Sequence, residues 1–305
     1  MPDHDPSRDG EGGARGDSGT ERDLERGKGL DSDGFIAREG SLGRVGAPFA
    51  PLVDDARQRV ADTYGPRLHS VYLYGSVPRG TARPGRSDLD LLIALHPEGP
   101  IPGHDSTVPA EPSDADRAAA HALGAALDAS YDVIDGAGIL LYTAGRLLSG
   151  RERFDLGWFV ACLCTPLDGE DLAARLPRYR PDSLLARETN GSLELRLPRW
   201  RRQNAAAGDP AERARLSRAY ARHLVRTAFT LVMPRWGGWT SDLERSAEIF
   251  ARYYPQRGDQ LRAAAAVARV PVTDPAVLQE YADDLGPWLA AEYTRLHGRK
   301  SWPES

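Results

Sequence analysis

Two aspartates two residues apart, inside a long apolar run, most constrain this chain: Ser87-Asp88-Leu89-Asp90-Leu91-Leu92-Ile93-Ala94-Leu95. Residues 88–95 read as a strand buried on both faces, apolar at most positions after Asp90. Strand alternation sends Asp88 and Asp90 to one face and Leu89 and Leu91 to the other. Two carboxylates side by side on a buried strand repel each other and are costly without a cation. A divalent metal is the natural counter-charge, and oxygen-only ligands favour Mg²⁺. Two such ions, about 3.5–4 Å apart, activate an attacking oxygen and stabilise a leaving pyrophosphate.

Upstream lies Leu73-Tyr74-Gly75-Ser76-Val77-Pro78-Arg79-Gly80-Thr81. A strand over 70–74 ends in Gly75-Ser76, and a loop rich in Gly, Pro and Arg leads to Asp88. Glycine lets the backbone approach a phosphate closely, and the Ser76 hydroxyl and nearby amides can donate to its oxygens. Arg79 adds a charge-assisted contact. Ser87 either orients Asp88 or caps the turn. Each piece alone is weak, since a lone Gly-Ser is usually a turn and a lone Asp-x-Asp a solvated pair. Their strand–loop–strand frame is what makes them a site.

The rest of the chain reads as an α/β unit followed by helices. Residues 1–34 are polar and rich in Gly, Asp, Arg and Ser, so residues 1–47 are expected to form a disordered tail. Residues 48–170 form the mixed α/β domain and residues 171–305 the helical C-terminal domain. A helix is predicted over 51–64, and residues 96–112, rich in Pro and Gly, as a surface loop. Ser113 and Asp116 start a helix to about Ala129. Residues 131–134 are predicted as a third strand, and 139–143 as another short element. Asp209-Pro210 with Glu212 opens a long helix to about Met233, and Ser241 and Asp274-Pro275 open two more.

Charge is unevenly spread. The net charge is −5, with the acidic excess in residues 48–170 and the basic excess in residues 171–305. Lys28 and Lys300 are the only lysines, so a phosphate clamp must come from arginine and backbone amides. On the long helix Arg218, Arg222 and Arg226 form a stripe at i, i+4 and i+8; Arg222 and Arg226 are its candidates for meeting a triphosphate. Cys162 and Cys164 have no second pair to complete a zinc site and read as core filling. The longest apolar stretch, Leu156 to Leu167, is too short to span a bilayer, and the polar start shows no secretory signal; a cytoplasmic protein is expected.

The residues 71–95 resemble the DNA polymerase β-type nucleotidyltransferase superfamily, most closely the bacterial branch of aminoglycoside adenylyltransferases and minimal nucleotidyltransferases. That resemblance implies a small polymerase β-like domain with a mixed sheet, followed by helices that often pack over the nucleotide. Gly75 and Ser76 would bind the triphosphate, and Asp88 and Asp90 would hold Mg²⁺, two ions in all. A third acidic residue from a later strand is usual; Asp132 is the matching position and Asp135 its competitor. It would ligate metal or take the acceptor's proton. The implied reaction is attack by a hydroxyl on the α-phosphate of an NTP, ATP favoured, with release of pyrophosphate. A small-molecule acceptor resembling an aminoglycoside is expected first, and tRNA or a partner protein is the rival. A non-catalytic nucleotide-binding module is a further class. An Arg218-x4-His223 spacing resembles helical ribonucleases of HEPN type. No membrane partner is expected, and homodimerisation stays open.

Overall fold

The computed structural model describes residues 27–97 and 110–301. Helix α1, Ala50–Tyr64, buries Leu52, Val53, Ala56, Val60 and Tyr64, the i, i+3/i+4 spacing of one helical face. Strand β1, Leu68–Tyr74, leads into the single turn α2, Ser76–Arg79. Strand β2 is Leu89–Leu95. Helix α3, Asp114–Ser130, opens on the capping box of Ser113 and Asp116 that the sequence implied. Arg67 clamps the buried Asp116 carboxylate through two hydrogen bonds of 2.6 and 2.9 Å. Strand β3 is Ala137–Thr143. The short helices α4, Ala144–Leu147, and α5, Trp158–Leu163, precede β4, Thr165–Gly169.

The sheet has the order β3-β2-β1-β4. β1 runs antiparallel to β2 and β4, and β3 lies parallel to β2. One face carries Val71, Leu73, Leu89, Leu91, Ile93 and Leu95 under α1 and α3. The other carries Tyr72, Leu92 and Ala94, packed on Leu147, Val160, Cys164 and Leu172. Alternation places Asp90 on this second face.

The helical half follows: α6, Ser183–Asn190; α7, Leu193–Ala206; α8, Pro210–Trp236; α9, Leu243–Tyr253; α10, Pro255–Arg269; α11, Pro275–Glu280; and α12, Gly286–His297. Asp209 caps α8 by accepting from the Ala211 amide. From Tyr220 onward α8 is buried on most sides, with Leu224, Val225, Ala228, Phe229, Leu231 and Val232 in the core. Burying a side chain such as Phe229 stabilises by about 1.5–3 kcal/mol, so this helix is the axis on which the domain is assembled. No helix among the described residues is long and apolar enough to cross a membrane.

Three expectations need correcting. Residues 27–47 are not a loose tail. The Trp239 amide donates to Lys28 O at 2.7 Å, the Ile36 amide to Tyr179 O at 2.8 Å, and the Glu39 amide to Cys162 O at 3.0 Å. Side chains pin it as well, Arg38 donating to both Asp171 oxygens at 3.1 and 2.8 Å; these partners lie far off in sequence, so its composition does not announce it, and residues 1–26 of the expected tail lie outside the described residues. Residues 131–134 form a turn, not a strand, and the third strand begins at Ala137. β4 is a strand that no alternation in the sequence indicated. Of the loop expected over 96–112, residues 98–109 lie outside the described residues.

Candidate active site

The two carboxylates sit where β2 begins. Asp88 is the last residue before the strand and Asp90 its second residue. In the sheet, Asp90 is flanked by Tyr74 of β1 and Gly138 of β3. Burial and the neighbouring Asp88 charge raise the Asp90 carboxyl to about 6, against the pull of Arg222 and Arg79. Burial and the Asp90 charge also push the Tyr74 hydroxyl well above its ordinary range. A buried carboxylate beside a second one is shifted in this direction because its charged form is disfavoured.

Gly75 links the turn after β1 to that pair. Its backbone lies at φ 81° and ψ −149°, a left-handed conformation that favours glycine. A Cβ there would run into the Asp90 carboxylate. Gly75 therefore makes the turn and gives Asp90 its room. Ser76 opens α2 and its carbonyl accepts from the Thr81 amide at 3.1 Å. Ser87 is occupied otherwise: its Oγ accepts from the Arg83 amide at 2.9 Å, so it caps the turn before Asp88.

The helical half supplies the cations. Arg222 of α8 is drawn to both Asp90 and Asp88 and repelled by Arg218 and Arg79; burial lowers its pKa first of all. Its Nε is buried with no hydrogen-bond partner among the described residues, as is that of Arg218. Arg226 is depressed by burial and by the charges of Arg222 and Arg79, with Glu39 opposing. Its side chain is exposed to solvent. Asp88, Asp90, Arg79, Arg222 and Arg226 thus share one electrostatic neighbourhood.

Arg79 faces that neighbourhood under restraint. Its Nε donates to Gly75 O at 2.8 Å, Nη1 donates to Ser241 Oγ, and Glu39 stands 3.9 Å away. Ser241, expected to open α9, yields that cap to Asp242, whose side chain accepts from the Arg245 amide, and pairs with Glu39 instead; Glu39 stands in no motif.

The third carboxylate is not gathered in. Asp132 and Asp135 are exposed in the turn before β3, because the chain turns there instead of forming the expected strand. The strand that does lie beside β2 carries no acidic residue, and its residue opposite Asp90 is Gly138. Among the described residues no group of three or more His, Cys, Asp or Glu could hold a metal ion. A pair still fits Mg²⁺, which is commonly bound by one or two carboxylates together with substrate phosphates.

His223 does not fit a nuclease role. It is packed edge-on against Trp200, with ring centres 5.8 Å apart, and its Nε2 is buried without a partner. Burial, with Arg196 and Arg226 nearby, lowers its pKa to about 3. A neutral ring so enclosed is a core histidine.

A groove of about 620 Å³ runs between α3 and the edge strand β3, lined among others by Arg117, His121, Ala125, Asp128, Gly136 and Tyr142. Its Gly136 end meets Asp88: a Cβ on Gly136 would lie 3.6 Å from Asp88 Oδ1.

Residues 53–120 match the family model for a nucleotidyltransferase domain. The chain therefore carries a nucleotidyltransferase domain of the polymerase β-like superfamily, and the match spans α1, the Gly75-Ser76 turn, both aspartates and the start of α3. No curated protein matches the chain.

Proposed function

We propose that this chain transfers a nucleoside monophosphate, AMP by preference, from a Mg²⁺-bound NTP to the hydroxyl of a small molecule. The observation that carries this reading is the partly buried Asp90 beside Asp88 at the start of β2, next to the Gly75-Ser76 turn, with their charges acting on Arg222 of α8. Mg²⁺ held by Asp88 and Asp90 would offset charge on the triphosphate and its leaving pyrophosphate. The amides after Gly75 cradle the phosphate oxygens, and Arg222 and Arg226 close on them from α8. Their guanidinium charges would offset the negative charge that develops on the phosphates.

The groove along β3 supports a small acceptor. Its volume lies in the range of pockets that enclose drug-sized ligands, and Arg117, His121 and Asp128 offer polar contacts along it. A polyanionic acceptor such as tRNA is the second reading. Arg196, Arg199 and Arg202 lie exposed on α7, and with Arg218, Arg222 and Arg226 they enter no ion pair among the described residues.

The test is incubation with Mg²⁺ and each α-labelled NTP, alongside pooled hydroxylated small molecules, tRNA or cell extract. Label from ATP should appear on a small molecule, with pyrophosphate released in equal amount. Label on RNA or protein would overturn the acceptor assignment. NTP binding without transfer to anything would leave a nucleotide-binding module.

A further inference from the structure

The strap of residues 27–47 ends against the phosphate loop, and it does so through a side chain. Glu39 Oε1 accepts from the Ser241 amide at 2.8 Å, and Oε2 accepts from the Ser241 hydroxyl. That hydroxyl in turn accepts from Arg79 Nη1, whose Nε holds Gly75 O at 2.8 Å. The chain of bonds runs Glu39, Ser241, Arg79, Gly75. It joins three segments far apart in sequence: the strap, the turn before α9, and the loop beside the carboxylates. Next to it the Ser41 amide donates to Pro78 O at 2.9 Å, so the strap grips the loop at two points.

Resting on the nucleotidyl-transfer reading above, we propose that Glu39 is a positioning residue. Through Ser241 it holds the Arg79 guanidinium in the one orientation that leaves Nη2 for the nucleotide's phosphates. Three observations support it. Glu39 is mostly buried, its side chain 17% exposed, and so is an expensive place for a charge without a purpose or partner. Both its oxygens are taken by one residue, which fixes the carboxylate plane. Arg79 has Nε and Nη1 occupied and Nη2 without a partner among the described residues. A guanidinium held by two of its nitrogens loses less freedom on meeting phosphate. The Glu39 charge also offsets repulsion in a cleft that crowds Arg79, Arg222 and Arg226 together.

A structural clamp alone would affect folding and little else, so the test separates the two. Ser241→Ala cuts the relay, Ser241→Thr restores a hydroxyl, and Glu39→Gln keeps shape but removes charge. Each is assayed in the full chain for Tm, for binding of Mg·ATP by calorimetry, and for steady-state transfer or pyrophosphate release. The expected result is a five- to twenty-fold rise in KM for ATP in Ser241→Ala and Glu39→Gln. Their Tm should stay within a few degrees of the wild type and kcat should fall less than KM rises. Ser241→Thr should recover most of the affinity. Unchanged KM in both variants, or a loss of Tm that accounts for the loss of binding, overturns the role of Glu39. Failure of the wild-type chain to bind Mg·ATP would instead refute the nucleotidyl-transfer reading itself.

Discussion

Asp90 on β2 and Gly138 on β3 stand directly opposite each other in the parallel register, and a Cβ on Gly138 would lie 3.3 Å from Asp90 Oδ1. The glycine leaves the carboxylate just enough room. Gly138→Ala should press on that oxygen and turn the carboxylate from its place. A displacement of a few tenths of an ångström at a reacting centre is expensive, so transfer should fall about ten-fold with little change in Tm. Steady-state rates of the two proteins at saturating NTP check this, and an equal rate would show that Asp90 has slack.

Asp90 also bears a stability cost that its removal should relieve. Its pKa is raised in the fold, to about 6, above the ordinary value of 3.8. Between those values the folded state holds a proton that the unfolded chain has released. Stability therefore falls as pH rises through that window, and the cost stands in full at pH 7. Asp90→Asn should raise the metal-free Tm by a few degrees at pH 7 while abolishing transfer. The gain should shrink as the pH is lowered towards 4. A lower Tm at neutral pH would show that the carboxylate is better accommodated than its surroundings imply.

Asp132 and Asp135 test how far the sequence can be trusted here. Asp132→Asn and Asp135→Asn should each retain transfer within about two-fold, because both lie exposed in a turn, whereas Asp88→Asn should lose it. A collapse of activity in Asp132→Asn would mean that this turn swings over the site when substrate binds.

What the sequence revealed depended on periodicity and on local chemistry. α1, β1, β2, the Ser113 cap of α3 and the long α8 all carry their own signals, so they were legible. Asp88 and Asp90 were legible because strand alternation puts them on one face. The strand expected over 131–134 came from β propensity: Tyr131-Asp132-Val133-Ile134 favours a strand, but Ile134 is buried within the turn and the Asp135 amide bonds to Ser87 O at 3.2 Å. Tertiary contacts outweighed propensity there. Glu39 and Ser241 were beyond reach because their pairing spans 202 residues and neither stands in a repeating pattern. Arg222 could be suspected from the stripe, but only its burial and the Asp90 and Asp88 charges acting on it distinguish it from a solvated face.

The groove proposed for the acceptor makes its own prediction. Ala125 is an exposed residue of α3 that lines it. Ala125→Trp keeps a reasonable helix former at that position and fills the groove. KM for a small-molecule acceptor should rise at least ten-fold, with Mg·ATP affinity unchanged. If acceptor KM does not move, the acceptor enters elsewhere, and the exposed arginines of α7 become the next surface to mutate.

His223 should govern part of the acid sensitivity of the helical half. Its pKa is lowered to about 3 in the fold, first by burial and then by Arg196 and Arg226, from an ordinary value of 6.5. Between pH 6.5 and 3 the unfolded chain takes up a proton that the folded one refuses. The stability due to a neutral His223 is thus complete above pH 6.5 and is lost as the pH falls through that window. His69 is lowered in the same direction, again chiefly by burial, while Asp90 works the other way below pH 6. Carboxylates held low by arginine, such as Asp116 and Asp284, contribute only once the pH nears 4. Asp90 contributes alike to the wild type and to a His223 variant, so the difference between their curves from pH 7.5 to 5 isolates His223. Tm should fall across that interval in the wild type and fall less in His223→Gln, which cannot titrate and is close in size. Parallel Tm curves for the two proteins would mean that the His223 ring accepts its proton in the folded state, by turning out of its contact with Trp200.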